Sequence, residues 1–201
     1  MPDIIILGAG GQAKVLADIA SKMGSSILGF LDDDPNIQTV MGYPVLGVID
    51  QCEQFDEEVF FAIGIGNAII RQKIYREHPS LKYATLIHPS SQIAMQAKIG
   101  EGTVVMAGTV IGPAVKIGRF CIVNSCAVVD HDSCMDDFSH AAPRSTVCGM
   151  VKIGKRVWLG AGSTISNNIT ICDDVLIGAG AVVVRDICEL GTYVGVPARC
   201  L

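Results

Sequence analysis

The sequence predicts a chain of two parts, a small parallel α/β domain followed by a parallel β-solenoid, and two observations lead to this prediction. From Ile87 to Val183 an aliphatic residue, or one close to it in character, returns at every sixth position with no insertion. Residues 1–84 instead alternate apolar runs with amphipathic segments. A period of six belongs neither to a helix nor to an isolated strand, and it is typical of coils that stack three flat faces per turn.

The first 84 residues have the pattern of successive βαβ units. Three apolar runs indicate buried parallel strands: Ile4–Leu7, Ile27–Leu31 and Val59–Ile63. Apolar residues at helical spacing between Val15 and Met23 predict one helix, ended by Gly24, and a second helix is predicted over residues 68–77. We expect a last strand at Tyr83–Ile87. The alternation as a whole predicts a small parallel sheet with helices packed on it.

A glycine-rich loop, Gly8–Ala13, joins the first strand to the first helix. Glycines at such a turn let the backbone approach a phosphate, and the helix N-terminus attracts the anion. Asp32, about twenty residues further on, falls where a carboxylate would bind a ribose. Because 84 residues make only half of a dinucleotide-binding fold, the loop favours a single nucleotide or a nucleotide diphosphate. The alternative is a turn that merely joins strand to helix, followed by a solvated acidic turn.

The third strand ends in a similar loop, Gly64–Asn67. Ligands of open parallel α/β sheets bind outside the carboxyl ends of the strands. We therefore expect the loops 8–12, 32–34 and 64–67 to converge on one ligand.

The hexads run from about His88 to Ile187, so the chain divides into residues 1–84 and 85–201. In each hexad the first residue, and the small or β-branched residue four positions later, are expected to pack inward. Seventeen hexads at three per turn make between five and six coils. The irregular tail Tyr193–Arg199 is expected to pack back on the solenoid or on a neighbouring chain. The periodicity by itself leaves the hand of the coil open.

The composition excludes several classes of function. The formal net charge is −5 and no basic stripe is present, which argues against a nucleic-acid partner or a polybasic membrane contact. No apolar stretch reaches the ~18 residues of a membrane span, and no basic signal-peptide region opens the chain, so we expect a cytoplasmic protein. The eight cysteines form no CxxC pair and are interpreted as buried thiols in a reducing compartment.

Two of the four histidines are candidates for chemistry. His131 and His140 lie within the solenoid, away from the inward-facing hexad positions, whereas His78 and His88 are interpreted as structural. His131 is flanked by Asp130 and Asp132, so a carboxylate is available to orient its ring and stabilise the protonated form, as a general base requires. The alternative is a surface histidine. Clustering of polar residues in this one coil favours a site.

These features together resemble a family of bacterial sugar acyltransferases that join a small nucleotide-binding domain to a left-handed β-helix. The family includes the sialic acid O-acetyltransferase type and the N-acetyltransferases of UDP-4-amino-4,6-dideoxy sugars, as used in bacillosamine synthesis. The resemblance rests on motifs along the whole chain: Gly8–Ala13, Phe30–Asp33, Gly64–Asn67 with Arg71, His131-Asp132, His140 and the ending Gly195–Arg199. It implies a Rossmann-like domain over 1–84, a left-handed β-helix over 85–201, and a homotrimer with active sites between neighbouring β-helices.

The resemblance also implies roles for individual residues. His131 matches the catalytic base and Asp132 the acid that tunes it. Four positions match contacts to acetyl-CoA: His140, Gly149, Ala161 and Ala179. Six match positions that hold the nucleotide-sugar: Gly10, Gly11, Gln12, Asp32, Asp33 and Gly66. The chain departs from the family pattern at Gln12, where many relatives have His, and at Arg144, which replaces a usual glycine.

The expected reaction is therefore N-acetyl transfer from acetyl-CoA to the 4-amino group of a UDP-linked 4-amino-4,6-dideoxy sugar, without a metal. O-acetylation of a hydroxyl on sialic acid or another cell-surface sugar precursor is the main alternative. A metal hydratase on the same solenoid would need three histidine ligands around zinc, and only two histidines lie in the solenoid. A purely structural solenoid would need neither the first domain nor the polar coil.

Overall fold

A computed structural model describes residues 2–201, which fall into two compact units, one ending at Pro89 and the other spanning Ser90–Leu201. The first unit contains one mixed sheet, two α-helices and a short 3-10 helix. In chain order its elements are β1 Asp3–Leu7, α1 Gly11–Lys22, β2 Ser26–Leu31, β3 Thr39–Val40, β4 Tyr43–Gly47, the 3-10 helix Ile49–Gln54, β5 Phe60–Ile63, α2 Ala68–Glu77 and β6 Leu86–Ile87. Neither α-helix of residues 2–201 is long and apolar enough to cross a bilayer.

The sheet of the first unit has the order β3-β4-β2-β1-β5. Strand β1 lies between β2 and β5 and runs parallel to both, with Leu7 in register with Leu31 and Ile63. Burial explains the continuous apolar runs, because β1 is covered on both faces and Ile4–Leu7 are buried. The predicted Rossmann-like α/β arrangement is confirmed, and the second predicted helix is found at the expected residues.

Two features of this unit differ from the prediction. Strands β3 and β4 form an antiparallel hairpin that the sequence does not announce, since its turn is Met41-Gly42 rather than Asn-Gly. Both turn residues have positive φ, 52° and 85°. The strand expected at Tyr83–Ile87 is wrong in its first part: Tyr83 makes one isolated bridge to Phe61, and only Leu86–Ile87 form a strand.

The second unit is a three-sided parallel β-solenoid. Face 1 consists of β7 Gln92–Ile93, β10 Val110–Ile111, β13 Val128–Val129, β16 Thr146–Val147, β19 Thr164–Ile165 and β22 Val182–Val183. Face 2 consists of β8 Lys98–Ile99, β11 Lys116–Ile117, β14 Cys134–Met135, β17 Lys152–Ile153 and β20 Thr170–Ile171. Face 3 contains β9 Val104–Val105, β12 Ile122–Val123, β15 His140–Ala141, β18 Trp158–Leu159, β21 Val175–Ile177 and the tail strands β23 Gly191–Val194 and β24 Arg199–Cys200.

Up to β22 each strand pairs with the strand eighteen residues away, as Val110 does with Val128, so one coil is three hexads. The ladders of six and five strands on faces 1 and 2 confirm the predicted five to six coils. Between strands the chain turns a corner through a residue of positive φ. At the corner between faces 3 and 1 this residue is glycine in three coils, and Arg144 takes the same place with φ 59°.

The inward positions pack as the hexad predicts. From Val105 to Val183 every first residue is buried, and so is the residue four positions later. At several of the positions four residues after a hexad's first residue, a Ser or Thr hydroxyl bridges successive coils. Thr103 Oγ1, for example, donates to Gly118 O at 2.7 Å and accepts from Cys121 N at 2.9 Å. The first coil departs from the rule, because Ile93 lies in a strand paired on one side only and remains exposed.

The interpretation of all eight cysteines as buried thiols is wrong. Only Cys52 and Cys121 are buried, while Cys126, Cys188 and Cys200 are exposed and the other three are half-buried. The hexad directs only Cys121 inward. The remaining solenoid cysteines occupy corners or outward-facing strand positions.

The regular rhythm ends after β22. Ile187 pairs with Ile171, which is sixteen residues away rather than eighteen. Strand β23 then runs parallel to β21, and β24 turns back antiparallel to β23. The tail therefore packs on the last coil of its own solenoid.

Strand β21 offers a direct test of the inward packing. Ile177 is fully buried and its neighbour Leu176 is 43% exposed. We expect Ile177→Ala to lower the free energy of unfolding by about 2–5 kcal/mol because it leaves a cavity between coils. The matched substitution Leu176→Ala should change it by less than about 1 kcal/mol. Urea unfolding of both variants measures the difference, and equal losses would contradict the assigned packing.

Candidate functional site

His131 and Asp132 lie together at the corner between face 1 and face 2. Asp132 has φ 59°, the left-handed conformation that this corner requires, and its N–H donates to Pro113 O at 3.0 Å. The turn brings Asp132 Oδ2 to 2.9 Å from His131 Nδ1. Because a carboxylate only accepts, Nδ1 carries the proton and Nε2 presents its lone pair. Both side chains are accessible, with 44% and 58% of their surface exposed.

The surroundings of His131 favour its charged form. The hydrogen bond that His131 donates to Asp132 is the main cause that raises the pKa of His131 above its usual 6.5, and the negative charges of Asp130 and Asp132 act in the same direction. Partial burial opposes them. The Asp130 carboxylate also accepts a hydrogen bond from the His131 N–H at 2.7 Å, which fixes the corner.

Gly149 lies one coil beyond His131, directly against the imidazole ring. A Cβ atom at Gly149 would lie 2.5 Å from His131 Nε2 and 2.6 Å from Cε1. The N–H of Met150 donates to His131 O at 2.9 Å, which holds the two coils in this register. The absence of a side chain at Gly149 is therefore what leaves room for the ring and keeps Nε2 accessible.

His140 lies on face 3 and is buried. Asn124 Oδ1 accepts a hydrogen bond from Ser125 N at 2.8 Å, so its amide nitrogen donates to His140 Nε2 at 3.2 Å. The neutral ring then carries its proton on Nδ1. Trp158, in register one coil further, packs against the ring with centroids 4.2 Å apart.

Ala161 and Ala179 follow the face 3 strands at the corner between faces 3 and 1. They are exposed and stacked in neighbouring coils, where Gly180 N donates to Ala161 O at 2.9 Å. Small side chains here leave the backbone open to a ligand. The predicted acetyl-CoA contacts thus fall into two groups, with Gly149 beside His131 and the other three residues on or beside face 3.

The structure brings together the three loops of the first unit. Asp32 Oδ2 accepts a hydrogen bond from Ala9 N at 2.6 Å, and its Oδ1 accepts from Asp34 N at 2.9 Å. A Cβ at Gly8 would meet Ile65, so the first and third loops touch as well. Asp33 Oδ1 accepts from Ile49 N at 3.0 Å. Both acidic side chains thus bind backbone groups of the protein, which the sequence did not predict.

Three of the predicted nucleotide-sugar positions are open. Around Gly10, Gly11 and Gly66 no atom lies within 4 Å of an added Cβ, so these backbones are accessible from outside. Gln12, in the first turn of α1, has a buried amide nitrogen with no hydrogen-bond partner among residues 2–201.

The third loop is held by a buried cation whose role the sequence did not predict. Arg71 is 2% exposed, and its Nη1 donates to Gly66 O at 2.6 Å and Ile65 O at 3.2 Å. Asn67 caps α2 by accepting from Ile69 N and Ile70 N. The guanidinium and the cap fix the carbonyl groups of the loop on the protein side.

Sequence reasoning also missed Asn124 and Trp158. A signal was present, because Trp158 lies eighteen residues after His140 and is the single tryptophan of the chain. Asn124 precedes His140 by sixteen residues, close to one coil, at a corner next to face 3. Among the described residues, 2–201, no group of three or more His, Cys, Asp or Glu is arranged to hold a metal ion.

Comparisons with known proteins agree with this architecture. Residues 3–78 match the PglD N-terminal domain, and residues 96–131 and 150–185 match the bacterial transferase hexapeptide repeat. The acetyltransferase domain of PglB from Neisseria gonorrhoeae is 35% identical with a TM-score of 0.94, and the match covers all of both chains. That domain has also been solved with acetyl coenzyme A.

Two further relatives extend the comparison. PerB from Caulobacter crescentus, solved with CoA and GDP-perosamine, is 34% identical with a TM-score of 0.92, over 100% of this chain and 98% of its own. The UDP-N-acetylbacillosamine N-acetyltransferase of Bacillus subtilis is 32% identical over 115 residues, 53% of this chain and 52% of that protein. The chain therefore belongs to the family of sugar acetyltransferases that join a PglD-type N-terminal domain to a left-handed hexapeptide-repeat β-helix.

Proposed function

We propose that this chain transfers an acetyl group from acetyl-CoA to the 4-amino group of a UDP-linked 4-amino-4,6-dideoxy sugar, with His131 as the general base. The observation that carries the proposal is the His131–Asp132 pair at 2.9 Å, with Nε2 left free over Gly149. The relatives support the more general part of this proposal, acetyl transfer to an amino sugar. PerB was solved with GDP-perosamine, and the B. subtilis enzyme is named for a bacillosamine derivative.

In the proposed mechanism His131 Nε2 accepts the proton of the sugar amine as the amine attacks the acetyl carbonyl. Asp132 keeps the proton on Nδ1 and stabilises the imidazolium that forms. Backbone N–H groups of the solenoid would stabilise the negative charge on the acetyl oxygen. His131 then returns its proton to the leaving thiolate. The acetyl group itself comes from the co-substrate.

The exposed corner at Ala161 and Ala179 fits acetyl-CoA, because the small side chains at this corner leave the protein backbone accessible to the co-substrate. In a three-sided coil the corner between faces 1 and 2, with His131, is opposite face 3, with His140. The two histidines of one solenoid therefore lie on opposite sides of the coil. This separation supports a homotrimer in which His131 of one copy and the face 3 of a neighbour complete each active site.

The open glycine loops of the first unit favour a nucleotide-linked acceptor. Gly10, Gly11 and Gly66 offer backbone close to the N-termini of α1 and α2, where phosphate is stabilised. We propose uridine as the base because the bacillosamine enzyme of B. subtilis is named for a UDP-linked sugar. GDP is the second candidate, because the structural relative solved with GDP-perosamine matches essentially the whole chain.

A substrate panel tests the proposal. Purified protein with acetyl-CoA should release free thiol with UDP-linked or GDP-linked 4-amino-4,6-dideoxy sugars and not with free sialic acid. His131→Ala should lower kcat by about 10²–10⁴ because proton transfer to a positioned base contributes that factor. The fold should persist by circular dichroism. Thiol release with sialic acid alone, or full activity of His131→Ala, would overturn the assignment.

The Asp132 hydrogen bond predicts a pH dependence. The base must be neutral, so kcat/KM should fall as the pH drops through the raised pKa of His131. Asp132→Asn removes the carboxylate that is the main cause of the rise, so the acid limb should move to lower pH while the plateau rate falls. Asp136→Asn, an exposed carboxylate at the next corner, is the matched control and should leave the limb in place. A limb that is unmoved in Asp132→Asn, or moved to higher pH, would contradict the role of this pair.

Gly149 provides a separate test of the free Nε2. Its backbone is not in the left-handed region, so alanine is tolerated there apart from its contact with the ring. Gly149→Ala should displace or cover His131 and lower kcat by about 10² or more, a loss comparable to removing the base. Steady-state kinetics distinguish this effect on His131 from a role of Gly149 in binding acetyl-CoA. An increase in the KM for acetyl-CoA with an unchanged kcat would be the contrary result.

A further inference from the structure

Cys172 and Cys188 lie side by side in the last coil, although a regular hexad spacing would keep these two residues apart. A regular coil would place the residue eighteen positions after Cys172 beside it, which is Leu190. The chain instead omits two residues after β22, so that Ile187 pairs with Ile171. Ile187 N donates to Thr170 O at 2.9 Å and Cys172 N donates to Ile187 O at 2.8 Å. The next residues in register are Cys172 and Cys188.

Asp186 holds the shortened coil in place. Its Oδ1 accepts a hydrogen bond from Thr170 N at 2.8 Å, where the regular coils use a backbone carbonyl, as Lys152 N does with Ile169 O. The side chain thus satisfies the ladder while the backbone takes a shorter path. The pairing of Ile187 with Ile171 is therefore specified by the sequence around it.

Both thiols point outward. Ile171 and Ile187 are buried in the core of the solenoid, and successive side chains of a strand alternate between its two sides. Cys172 and Cys188 accordingly face away from the core, with Cys172 half-buried and Cys188 exposed. Neighbouring strands lie about 4.8 Å apart, within the Cα separation of roughly 4.4–6.8 Å that a disulfide spans.

We infer that Cys172 and Cys188 form an oxidisable thiol pair, a modification site at which a small-molecule disulfide closes an intramolecular disulfide across the last coil. The exposed Cys188 thiolate attacks one sulfur of the oxidant and releases one thiol. The Cys172 thiolate then attacks the Cys188 sulfur of the mixed disulfide and releases the second thiol. Two protein thiols are oxidised and one disulfide is reduced to two thiols, so the exchange balances.

The electrostatics agree with this order of steps. Burial is the main cause that raises the pKa of the Cys172 thiol, and the neighbouring Cys188 contributes to the rise. Cys172 is therefore the slower attacking group in solution, and it reacts because the mixed disulfide lies beside it. Cys200 is the competitor within the same unit. It lies on β24 opposite Tyr193, on the far strand of the tail hairpin rather than in the ladder with Cys172.

The positions of the arginines permit a direct assay. Trypsin cleavage after Arg156, Arg185 and Arg199 places Cys172 in peptide 157–185, Cys188 in peptide 186–199 and Cys200 in the separate peptide that begins at residue 200. The full-length protein is incubated with oxidised glutathione, alkylated and digested without reduction. We expect peptides 157–185 and 186–199 to be joined, at a yield at least about tenfold above any other pair, because neighbouring thiols react at millimolar or higher effective concentration.

Variants and a stability measurement complete the test. Cys172→Ser and Cys188→Ser should each abolish the joined peptides. Cys200→Ser and Cys126→Ser, which remove exposed thiols outside the pair, should retain them. Oxidation should raise the midpoint of thermal unfolding by about 3 °C or more in the wild type, reversibly with dithiothreitol, and not in Cys188→Ser. Mixed disulfides alone, links through Cys200, or links between chains would each overturn the inference.

Discussion

The hydrogen bonds between successive coils are the interaction on which the rest of the solenoid depends. They hold in register residues that lie eighteen positions apart, and every strand pair on faces 1 and 2 keeps this interval. The neighbours of a residue in the adjacent coils are therefore the residues eighteen positions before and after it in the sequence. Buried aliphatic columns and the hydroxyls that bridge coils stabilise this register. Any side chain placed at a corner is presented in a fixed direction on a rigid scaffold.

The chemistry of the candidate site follows from that register at one corner. The corner requires a left-handed residue, and Asp132 fills it, which turns its carboxylate toward the His131 ring. The same register places Gly149 beneath Nε2. The candidate site thus combines an oriented imidazole with an unobstructed lone pair, and both properties come from backbone geometry rather than from a deep pocket. Accessibility of both side chains suits a base that must meet a substrate brought by another surface.

The first unit uses a different principle to prepare its ligand loops. Two of its acidic residues, predicted to hold the nucleotide-sugar, accept hydrogen bonds from the protein itself. Asp32 joins the first and second loops, and Asp33 joins the second loop to the 3-10 helix. Arg71 holds the third loop from beneath. The polar side chains therefore shape the edge of the sheet, and the open glycine backbones are the surface that remains for the proposed nucleotide-sugar. The carboxylate oxygens keep further acceptor capacity, so a ligand contact is compatible with this arrangement.

The sequence by itself determined the features that repeat or that lie close together along the chain. The hexad period located the inward residues, the apolar runs and helical spacing located β1, β2, β5, α1 and α2, and adjacency joined His131 to Asp132. Local spacing carries this information because each strand and each corner is built from a few consecutive residues. Spacing alone could not find the hairpin turn at Met41-Gly42. This dipeptide is not one of the usual hairpin turn pairs, such as Asn-Gly, and the flanking residues do not show the alternation typical of a hairpin.

Only the tertiary structure decided which residues meet across coils and where the period fails. It set Gly149 against His131, Asn124 and Trp158 around His140, and His131 and His140 on opposite sides of one coil. It also revealed that the last coil is two residues short, which aligns Cys188 with Cys172. The physical reason is that contacts between coils depend on the pairing register, and one side chain, Asp186, can replace a backbone acceptor and change that register without altering the local pattern.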